Sequence, residues 1–453
     1  MIYFTRKKFL CRRVIMNRIK LRSTSLYRVI PTLVRSGIEQ TVTVYPIGEA
    51  KRFCDDTEYI VSFIPREVFT INRLYHQADW DTVTVRAQDG ALRVSYTFAD
   101  EQEWVISVTT AENIEKKKAP LEFFVYSLFD DLYERDPYLG DLHVHSCRSD
   151  GKEDPAVVAA NYRREGFDFL ALTDHKLWQP SDDMIKTYAG IPLGVKLFHG
   201  EEVHIPTSAI HMVNFGGSYS VNDLYYNNTE EIDAKIKADV EKLQPRDDIN
   251  MLDLAYRKWI TDEIRKSGGL SIVAHPHWIC RQTYNMNRNT LDEVFEKGFY
   301  DAFELIGGND TNGNNLQTAF YSDQLAKGRR IPIVGSSDSH GTDPANYFCL
   351  GKTIVFAKDC ELDTLCGAIK DTYSVAIEHR YGEEERVFGS YRLVTYARFL
   401  LDHYFPYHNE FCFEEGILMR EYLLGDKQVG EALAAAAERT RRKSKLLLRG
   451  VEE

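Results

Sequence analysis

The sequence predicts an α/β protein in three parts: an antiparallel β-domain, a barrel-like region of alternating strands and helices, and a helical region at the end. Three observations predict it. Apolar residues recur with period two between about residues 27 and 129, strands alternate with helical stretches from about residue 137, and that alternation stops after about residue 381. Long strand–helix alternation favours a parallel barrel or sheet, because each helix returns the chain to the same side.

The antiparallel part, residues 26–135, is expected to be a small β-sandwich with a structural or oligomerising role. Its clearest signal is the alternation through residues 83–87 and 92–98 on either side of Asp89-Gly90, followed by a third alternating run at residues 104–108. Both turn residues tolerate a positive φ, so the pattern around them predicts a β-hairpin.

Residues 1–25 are expected to form a disordered basic arm, since the first 22 residues carry eight positive charges and no negative charge. The apolar runs of this arm are too short for a secretory leader. Met16 is a candidate for the true start of the protein, and nucleic-acid binding by the arm is the less favoured interpretation.

Composition and charge argue against several classes of protein. The chain of 453 residues has a net charge of −12, and a broadly acidic surface is unsuited to duplex nucleic acid. The sequence lacks an apolar run of about 18 or more residues, so we expect no membrane span. The eight cysteines are scattered without a Cys-x-x-Cys pair, which favours reduced thiols and a cytoplasmic location.

The barrel-like region, residues 136–380, is expected to contain a mostly helical insertion at residues 215–268. Residues 381–453 are expected to be helical, and their basic end suits a solvated face or a subunit contact in a homo-oligomer. Four aromatic residues are candidates either for a substrate lid or for ordinary core packing: Tyr225, Tyr226, Trp259 and Trp278.

Side chains that can bind metal are concentrated in the barrel-like region. Six of the 13 histidines belong to a set of nine such residues: His143, His145, Asp150, His175, Glu202, His211, His275, Asp338 and His340. Imidazole combined with carboxylate, without paired cysteines, favours a cluster of hard or borderline divalent ions. The sequence therefore predicts a hydrolytic metal centre.

The spacing of these residues suits strands that end at one mouth of a barrel. The two imidazoles of His143-x-His145 lie on one face of a strand, because side chains alternate with period two, and Asp338-x-His340 repeats the pattern. His175, His275 and Asp338 each follow an apolar run that is expected to be a strand. Catalytic groups of such barrels project from the carboxyl ends of the strands.

The order of these motifs resembles the PHP superfamily, named for polymerase and histidinol phosphatase. The motifs run Asp141-Leu-His-Val-His145, Ser149-Asp150-Gly151, Thr173-Asp174-His175, Gly200-Glu-Glu202, His211, Ala274-His275-Pro276 and Ser337-Asp338-Ser339-His340. The resemblance covers about residues 137–380, and the opening from Gly140 is also similar to the branch that includes carbamate and amide hydrolases. It implies a distorted (β/α)7 TIM-like barrel with up to three metals.

The resemblance also implies which residues bind each metal. One ion would be bound by His143, His145, Glu202 and Asp338; a second would share Glu202 and add His211 and His275; a third would be bound by Asp150, His175 and His340. The family's Gly-x-Glu spacing selects Glu202 over its neighbour Glu201. Asp174 is expected to orient a neighbour and not to bind metal.

The leading hypothesis is a phosphoesterase that hydrolyses a small phosphate monoester or a nucleotide with metal-activated hydroxide. It needs two or three divalent ions (Zn, Mn or Fe), and Asp150, His175, Glu202 and His340 are the expected catalytic residues. The candidates for contact with a phosphorylated small-molecule substrate are Arg148, Lys176, Arg281 and His277.

Two alternatives use the same region differently. In the first, the metal site hydrolyses an amide, ester or carbamate bond. A phosphate site clamped by arginine favours the leading hypothesis, whereas an apolar pocket lined by Trp178, Trp278 and tyrosines favours this alternative. In the second, the barrel is a non-catalytic regulatory module, which the complete set of candidate ligands argues against.

Overall fold

A computed structural model describes residues 26–67, 80–206, 210–242, 245–308, 311–426 and 428–451. The predicted basic arm lies outside these residues. The chain divides into two compact units, of which the first comprises residues 1–134, 398–407 and 441–453, and the second comprises residues 135–397 and 408–440.

The first unit contains eight described strands in two sheets, with the orders β1-β3-β6 and β2-β8-β7-β4-β5. The strands are β1 (Tyr27–Ile30), β2 (Leu33–Arg35), β3 (Glu39–Pro46), β4 (Glu58–Pro65), β5 (Asp81–Arg86), β6 (Leu92–Thr97), β7 (Gln102–Thr109) and β8 (Leu121–Leu128). Two short helices follow β7 and β8, namely α1 (Ala111–Glu115) and α2 (Asp130–Tyr133). Buried side chains from both sheets form one hydrophobic cluster. The finer geometry of a β-sandwich stays a prediction.

The predicted hairpin around Asp89-Gly90 is wrong for most of its length. The tight turn forms, with φ angles of 53° and 75° at its two residues. However, β5 pairs with β4 and β6 pairs with β3, so only Gln88 and Ala91 bridge across the turn. Period-two alternation specifies the two faces of a strand but not its partner, and here the chain passes from one sheet to the other.

The second unit contains two mixed sheets, with the orders β11-β10-β9-β19-β20-β21 and β12-β13-β14-β17-β18, and a separate β15–β16 hairpin. Their strands are β9 (Asp136–Asp141), β10 (Phe169–Ala171), β11 (Lys196–Phe198), β12 (Gly200–Val203), β13 (Met212–Phe215), β14 (Leu270–Val273), β15 (Ile279–Cys280), β16 (Thr283–Tyr284), β17 (Ala302–Ile306), β18 (Ile333–Gly335), β19 (Gly351–Ala357), β20 (Ser374–Glu378) and β21 (Arg386–Phe388).

The two large sheets meet through single bridges between Val144 and Ser339 and between His175 and Glu202. The α/β class and the curled sheet are confirmed. The expectation of a parallel barrel or sheet is wrong in part. β10 is parallel to β9 and β11, and β17 is parallel to β14 and β18, but β13 runs antiparallel to both of its neighbours and β19 runs antiparallel to β9 and β20. The strand pairing does not establish a complete (β/α)7 barrel.

Helices connect these strands and form the end of the chain. They are α3 (Pro155–Arg164), α4 (Gln179–Thr187), α5 (Val221–Asn227), α6 (Thr229–Val240), α7 (Met251–Lys266), α8 (Arg288–Lys297), α9 (Thr311–Ala326), α10 (Leu362–Lys370), α11 (Tyr391–His403), α12 (Phe405–Leu423) and α13 (Val429–Arg449). A helical C-terminal region is confirmed, but its first helix begins at Tyr391. Within the stretch expected to be helical, residues 386–388 form strand β21, which pairs with β20. Among the described residues, every helix is too short or too polar to cross a bilayer.

Helices α5 to α7 lie within the stretch in which a helical insertion is expected. Tyr225 and Trp259 are buried there in one hydrophobic cluster with Ile232 and Ile260. These two aromatic residues therefore pack in the core and do not form a lid over a substrate.

A buried ionic network joins α12 to the strands that precede the histidine motifs. Arg163, at the end of α3, lies 3.2 Å from Asp168 Oδ1 and 2.9 Å from Glu415 Oε2. His408 Nε2 lies 2.8 Å from Asp168 Oδ1, and Asp168 Oδ2 accepts a hydrogen bond from the backbone N–H of Leu139 in β9. Charges buried this deeply are stable only when paired, so the network favours one position for β9 and β10.

We expect the contribution of His408 to stability to depend on pH. Burial alone would lower the pKa of His408, but the Asp168 carboxylate raises it to about 10. Because this folded-state pKa lies above that of an unfolded histidine, about 6.5, the contribution is complete below that pH and is lost as the pH rises toward 10. His408→Gln should therefore lower the free energy of unfolding, measured by urea denaturation, by about 3 kcal/mol near pH 6 and by less at pH 10.

The matched control is His379→Gln, at an exposed position, which should change the free energy of unfolding by less than about 0.5 kcal/mol. An effect of His408→Gln that stays constant from pH 6 to pH 10 would contradict the proposed ion pair.

Candidate metal centre

Asp141 holds together the two segments that carry the first and last motifs. Its Oδ1 accepts hydrogen bonds from the backbone N–H groups of His143 at 3.2 Å and Ser337 at 3.1 Å, and its Oδ2 accepts one from Tyr162 Oη at 3.1 Å. Burial raises the pKa of Asp141 to about 7. This carboxyl group therefore positions His143 beside Asp338 and is turned away from the cluster itself.

Glu202 lies at the middle of the candidate centre and is fully buried. Its Oε2 lies 3.4 Å from His143 Nε2, 3.7 Å from His145 Nε2, 2.7 Å from His175 Nδ1 and 3.2 Å from His204 Nε2. None of these contacts has the geometry of a hydrogen bond to Oε2. Four imidazoles aimed at one unsatisfied carboxylate oxygen are arranged as ligands around a shared cation would be.

The other oxygen of Glu202 faces the second pair of histidines. Oε1 lies 2.6 Å from His211 Nδ1 and 3.4 Å from His275 Nε2. One carboxylate thus approaches both groups of imidazoles, which is the position required of a bridging ligand. Strand alternation turns Glu201 to the opposite face, where it accepts hydrogen bonds from Ser220, Val221, Asn222 and Asn214.

Asp338 approaches the same centre from the end of β18. Its Oδ1 lies 3.0 Å from His145 Nε2 and 3.4 Å from His143 Nε2, and its Oδ2 lies 3.9 Å from His275 Nε2. Asp338 and His275 have positive φ angles of 49° and 22°. Such backbone conformations are costly outside glycine and persist where the surrounding structure requires them, as at a binding site.

Asp150, His175 and His340 form a more open group beside this centre. Asp150 Oδ2 lies 3.3 Å from His175 Nε2, and its Oδ1 lies 3.3 Å from His340 Nε2. Asp174 holds the loop that carries Asp150, because it accepts hydrogen bonds from the backbone and side chains of Ser146 and Ser149. This agrees with the expectation that Asp174 orients a neighbour.

All nine side chains expected to bind metal therefore converge, although the groups differ in detail from the three implied sets. The combinations whose donor atoms lie within 4.8 Å of one another include His145 with Asp150, His175 and His340; His143 with His275 and Asp338; His143 with His145 and Glu202; and His175 with Glu202 and His204. His145 thus joins the open group, and His275 joins His143. Imidazole and carboxylate oxygen suit Zn, Mn or Fe.

Two residues of the centre were missed from the sequence. His204 follows Glu202 by two residues, so the same period-two spacing that identified His143-x-His145 could have found it. Glu304 lies fully buried in β17, and its Oε2 is 2.9 Å from His143 Nδ1. A lone glutamate in an apolar strand was the signal there, since charged groups are rarely buried without a partner.

The histidines of the centre differ in protonation. Burial would lower the pKa of His143 and of His175, but neighbouring carboxylates raise the pKa of His143 well above its usual value and that of His175 to about 10. Burial lowers the pKa of His145 and of His211 to about 4, so both rings are neutral near pH 7 and have a lone pair to donate. Burial would raise the pKa of Glu202, but the surrounding histidines hold it well below the usual range, so the carboxylate is anionic.

The centre lies at the base of a cavity of about 1200 Å³ within the second unit. Of the residues expected to contact substrate, Arg148, Lys176 and His277 line this cavity. Arg281 is not among its lining residues and is exposed. Arg281 occupies the turn between β15 and β16, whereas its neighbour Cys280 lines the cavity.

No family model matches the chain, and no curated protein matches it. Similar solved structures include a two-domain protein from Bacteroides vulgatus that contains a PHP-like metal-dependent phosphoesterase identified by prediction. It is 20% identical over 54% of this chain and 66% of that chain, with a TM-score of 0.39. This chain therefore spans just under two thirds of that relative.

Two further structures are each 18% identical over 45% of this chain and 87% of their own. One is a protein from Bifidobacterium adolescentis whose activity is inferred to be that of a metal-dependent phosphoesterase, with a TM-score of 0.32. The other is an amidohydrolase from Chromobacterium violaceum with bound sulfate and no metal, with a TM-score of 0.30. Of these three structures, the one from Bacteroides vulgatus is the one called PHP-like, after the superfamily that the motif order resembles.

We expect Glu202→Gln and Glu201→Gln to have different effects on metal binding. Loss of the shared carboxylate at Glu202 should weaken the binding of Zn or Mn by about 100-fold or more. Glu201→Gln should retain the metal but lower the melting temperature. The new amide N–H₂ group would face the N–H and O–H groups that now donate hydrogen bonds to Glu201. Metal content per folded protein, measured by inductively coupled plasma mass spectrometry, distinguishes them. Full metal content in Glu202→Gln would contradict the arrangement.

Proposed function

We propose that the protein is a metal-dependent hydrolase, and that it is a phosphoesterase acting on a small phosphate monoester or a nucleotide. The observation that carries the proposal is the convergence of buried imidazoles on both oxygens of Glu202 at the base of an open cavity. A cluster of this composition is typical of sites that hydrolyse esters and amides without a protein nucleophile.

In this proposal, two or three divalent ions (Zn, Mn or Fe) are held by the nine converging side chains together with His204. When bound, such ions supply a water of lowered pKa and positive charge for the group that is cleaved. The carboxylate of Glu304 fixes the proton of His143 on Nδ1, which leaves Nε2 to face Glu202 and Asp338. Asp150 orients the rings of His175 and His340 at the side of the centre that is open to the cavity.

The cationic side chains at the cavity favour a phosphorylated substrate over a neutral one. Lys176 lines the cavity and, among the residues described, has no carboxylate within ion-pair distance; its Nζ lies 5.9 Å from the centre of the Tyr226 ring. Among the described residues, the guanidinium of Arg148 forms two long ion pairs, at 3.7 Å to Asp154 and 3.9 Å to Asp183. Both cations are therefore free to approach a phosphate dianion.

A hydrolysis panel tests the reaction class. The purified protein, loaded in turn with Mn, Fe and Zn, should release inorganic phosphate from at least one of a set of sugar phosphates, nucleotides and bisphosphates. Glu202→Gln serves as the inactive control. Bound metal without phosphate release from any member of the panel would contradict the proposal.

Replacement of Lys176 tests the nature of the substrate. Loss of one charge-assisted hydrogen bond should raise KM for a phosphate monoester about tenfold in Lys176→Met, with a smaller change in kcat. Lys358→Met, at an exposed position that does not line the cavity, is the matched control and should have an unchanged KM. An unchanged KM in Lys176→Met would argue against phosphate recognition at this wall.

An amide, ester or carbamate substrate remains the second candidate, because part of the cavity is apolar. Trp278 and Tyr284 line the cavity, as this alternative expects. Trp178 does not line it; its ring stacks on His199 at 4.3 Å and its Nε1 donates a hydrogen bond to the carbonyl of Gly217. Hydrolysis of N-acyl or carbamate substrates by protein that releases no phosphate would favour this candidate. No observation favours a purely regulatory barrel.

A further inference from the structure

A small hairpin follows directly after His275 and forms one wall of the cavity. It comprises β15 and β16, in which Ile279 pairs with Tyr284, and its turn residues Arg281 and Gln282 have φ angles of 47° and 77°. The N–H of Asn285 donates to the carbonyl of Trp278 at 2.8 Å and closes the base of the hairpin. We call residues 278–285 the aromatic hairpin.

The aromatic hairpin exposes apolar side chains beside the polar centre. Trp278, Ile279 and Tyr284 are 38%, 60% and 48% exposed, and all three line the cavity. Three other exposed apolar residues line the same cavity: Leu177, Leu316 and Tyr347. Apolar side chains left in water contribute little to folding, and when they are grouped around a concavity they mark a binding surface.

Contacts with the centre hold the innermost of these rings in place. The ring of Trp278 lies 5.4 Å from that of His211 and 6.0 Å from that of His275, measured between centroids. The ring of Tyr284 lies 5.6 Å from that of His277. A ring held in this way can bind a second ring against its open face with little loss of conformational entropy. Such aromatic pairs are more stable than the burial of their contact area alone would predict.

The cavity is also much larger than the group that is hydrolysed. A phosphate, amide or carbamate group placed against the imidazoles and carboxylates would fill only part of this volume. The lining also includes the apolar side chains of the aromatic hairpin and the cations Arg148 and Lys176. The bound molecule should therefore have a charged or polar end and a separate apolar end.

We propose that the aromatic hairpin selects substrates that carry an aromatic ring a short distance from the bond that is cleaved, with the ring bound against Trp278 and Tyr284. This inference rests on the proposed function for the polar end of the substrate, but the aromatic end can be tested without turnover. Three aromatic side chains at the cavity, those of Trp278, Tyr284 and Tyr347, favour a flat ring over a flexible aliphatic chain.

The binding test compares two stable phosphonates on the metal-loaded protein. By isothermal titration calorimetry, 2-phenylethylphosphonate should bind about tenfold or more tightly than ethylphosphonate, the gain expected from one buried aromatic contact. In Trp278→Ala and in Tyr284→Ala the ratio of the two dissociation constants should fall toward one. Tyr284→Ala is included because Trp278 also touches imidazoles of the centre, and metal content is measured for both variants.

Tyr381→Ala is the matched control, since Tyr381 is an exposed aromatic residue of the same unit that does not line the cavity. In this variant the ratio of the two dissociation constants should equal that of the wild type. Equal affinity for the two phosphonates, binding of neither, or a ratio retained in both hairpin variants would overturn the inference.

Release of phosphate from ethyl phosphate and 2-phenylethyl phosphate, whose leaving alcohols are similar, separates this inference from the proposed function. Turnover of both compounds at equal kcat/KM would support the proposed phosphoesterase activity but contradict the proposed preference for substrates with an aromatic ring. Ring-dependent binding without any phosphate release would support the hairpin's role and contradict the phosphoesterase.

Discussion

The structure of the second unit depends on one buried carboxylate. Glu202 is removed from water, and both of its oxygens face imidazole nitrogens contributed by segments far apart in the sequence. An isolated charge in this position would strongly destabilise the fold. The buried Glu202 carboxylate therefore depends on the strands that bring the histidines close to it. A cation bound by the carboxylate and the imidazoles would compensate this charge, and metal binding would then be coupled to folding.

A second layer of polar groups keeps the converging side chains in position. Asp141 joins the segments of His143 and Asp338, Asp174 holds the loop of Asp150, and Glu304 orients the ring of His143. Farther out, the ionic network around Asp168 links α12 to β9 and β10. The outer polar groups thus restrict the positions of the side chains of the centre, because a buried group that forms hydrogen bonds tolerates few alternative positions.

The cavity combines two kinds of chemistry that are usually kept apart. Its base is charged and its wall at the aromatic hairpin is apolar, and His275 belongs to the segment that connects them. A substrate that fills the cavity must therefore match both surfaces. Exposed tryptophan and tyrosine thus line the same cavity as imidazoles and carboxylates.

The sequence by itself determined the candidate ligands and the type of each region. Strand periodicity placed His143 and His145 on one face. The resemblance to the PHP superfamily, through its Gly-x-Glu spacing, implied Glu202, whose neighbour Glu201 points the other way. Sequence could not show that β5 and β6 separate into different sheets, that Glu304 reaches His143 across 161 positions, or that Arg281 is not among the residues that line the cavity. Local patterns specify which face of an element a side chain occupies, whereas the partner across the interior depends on packing between distant segments, and only the tertiary structure decides it.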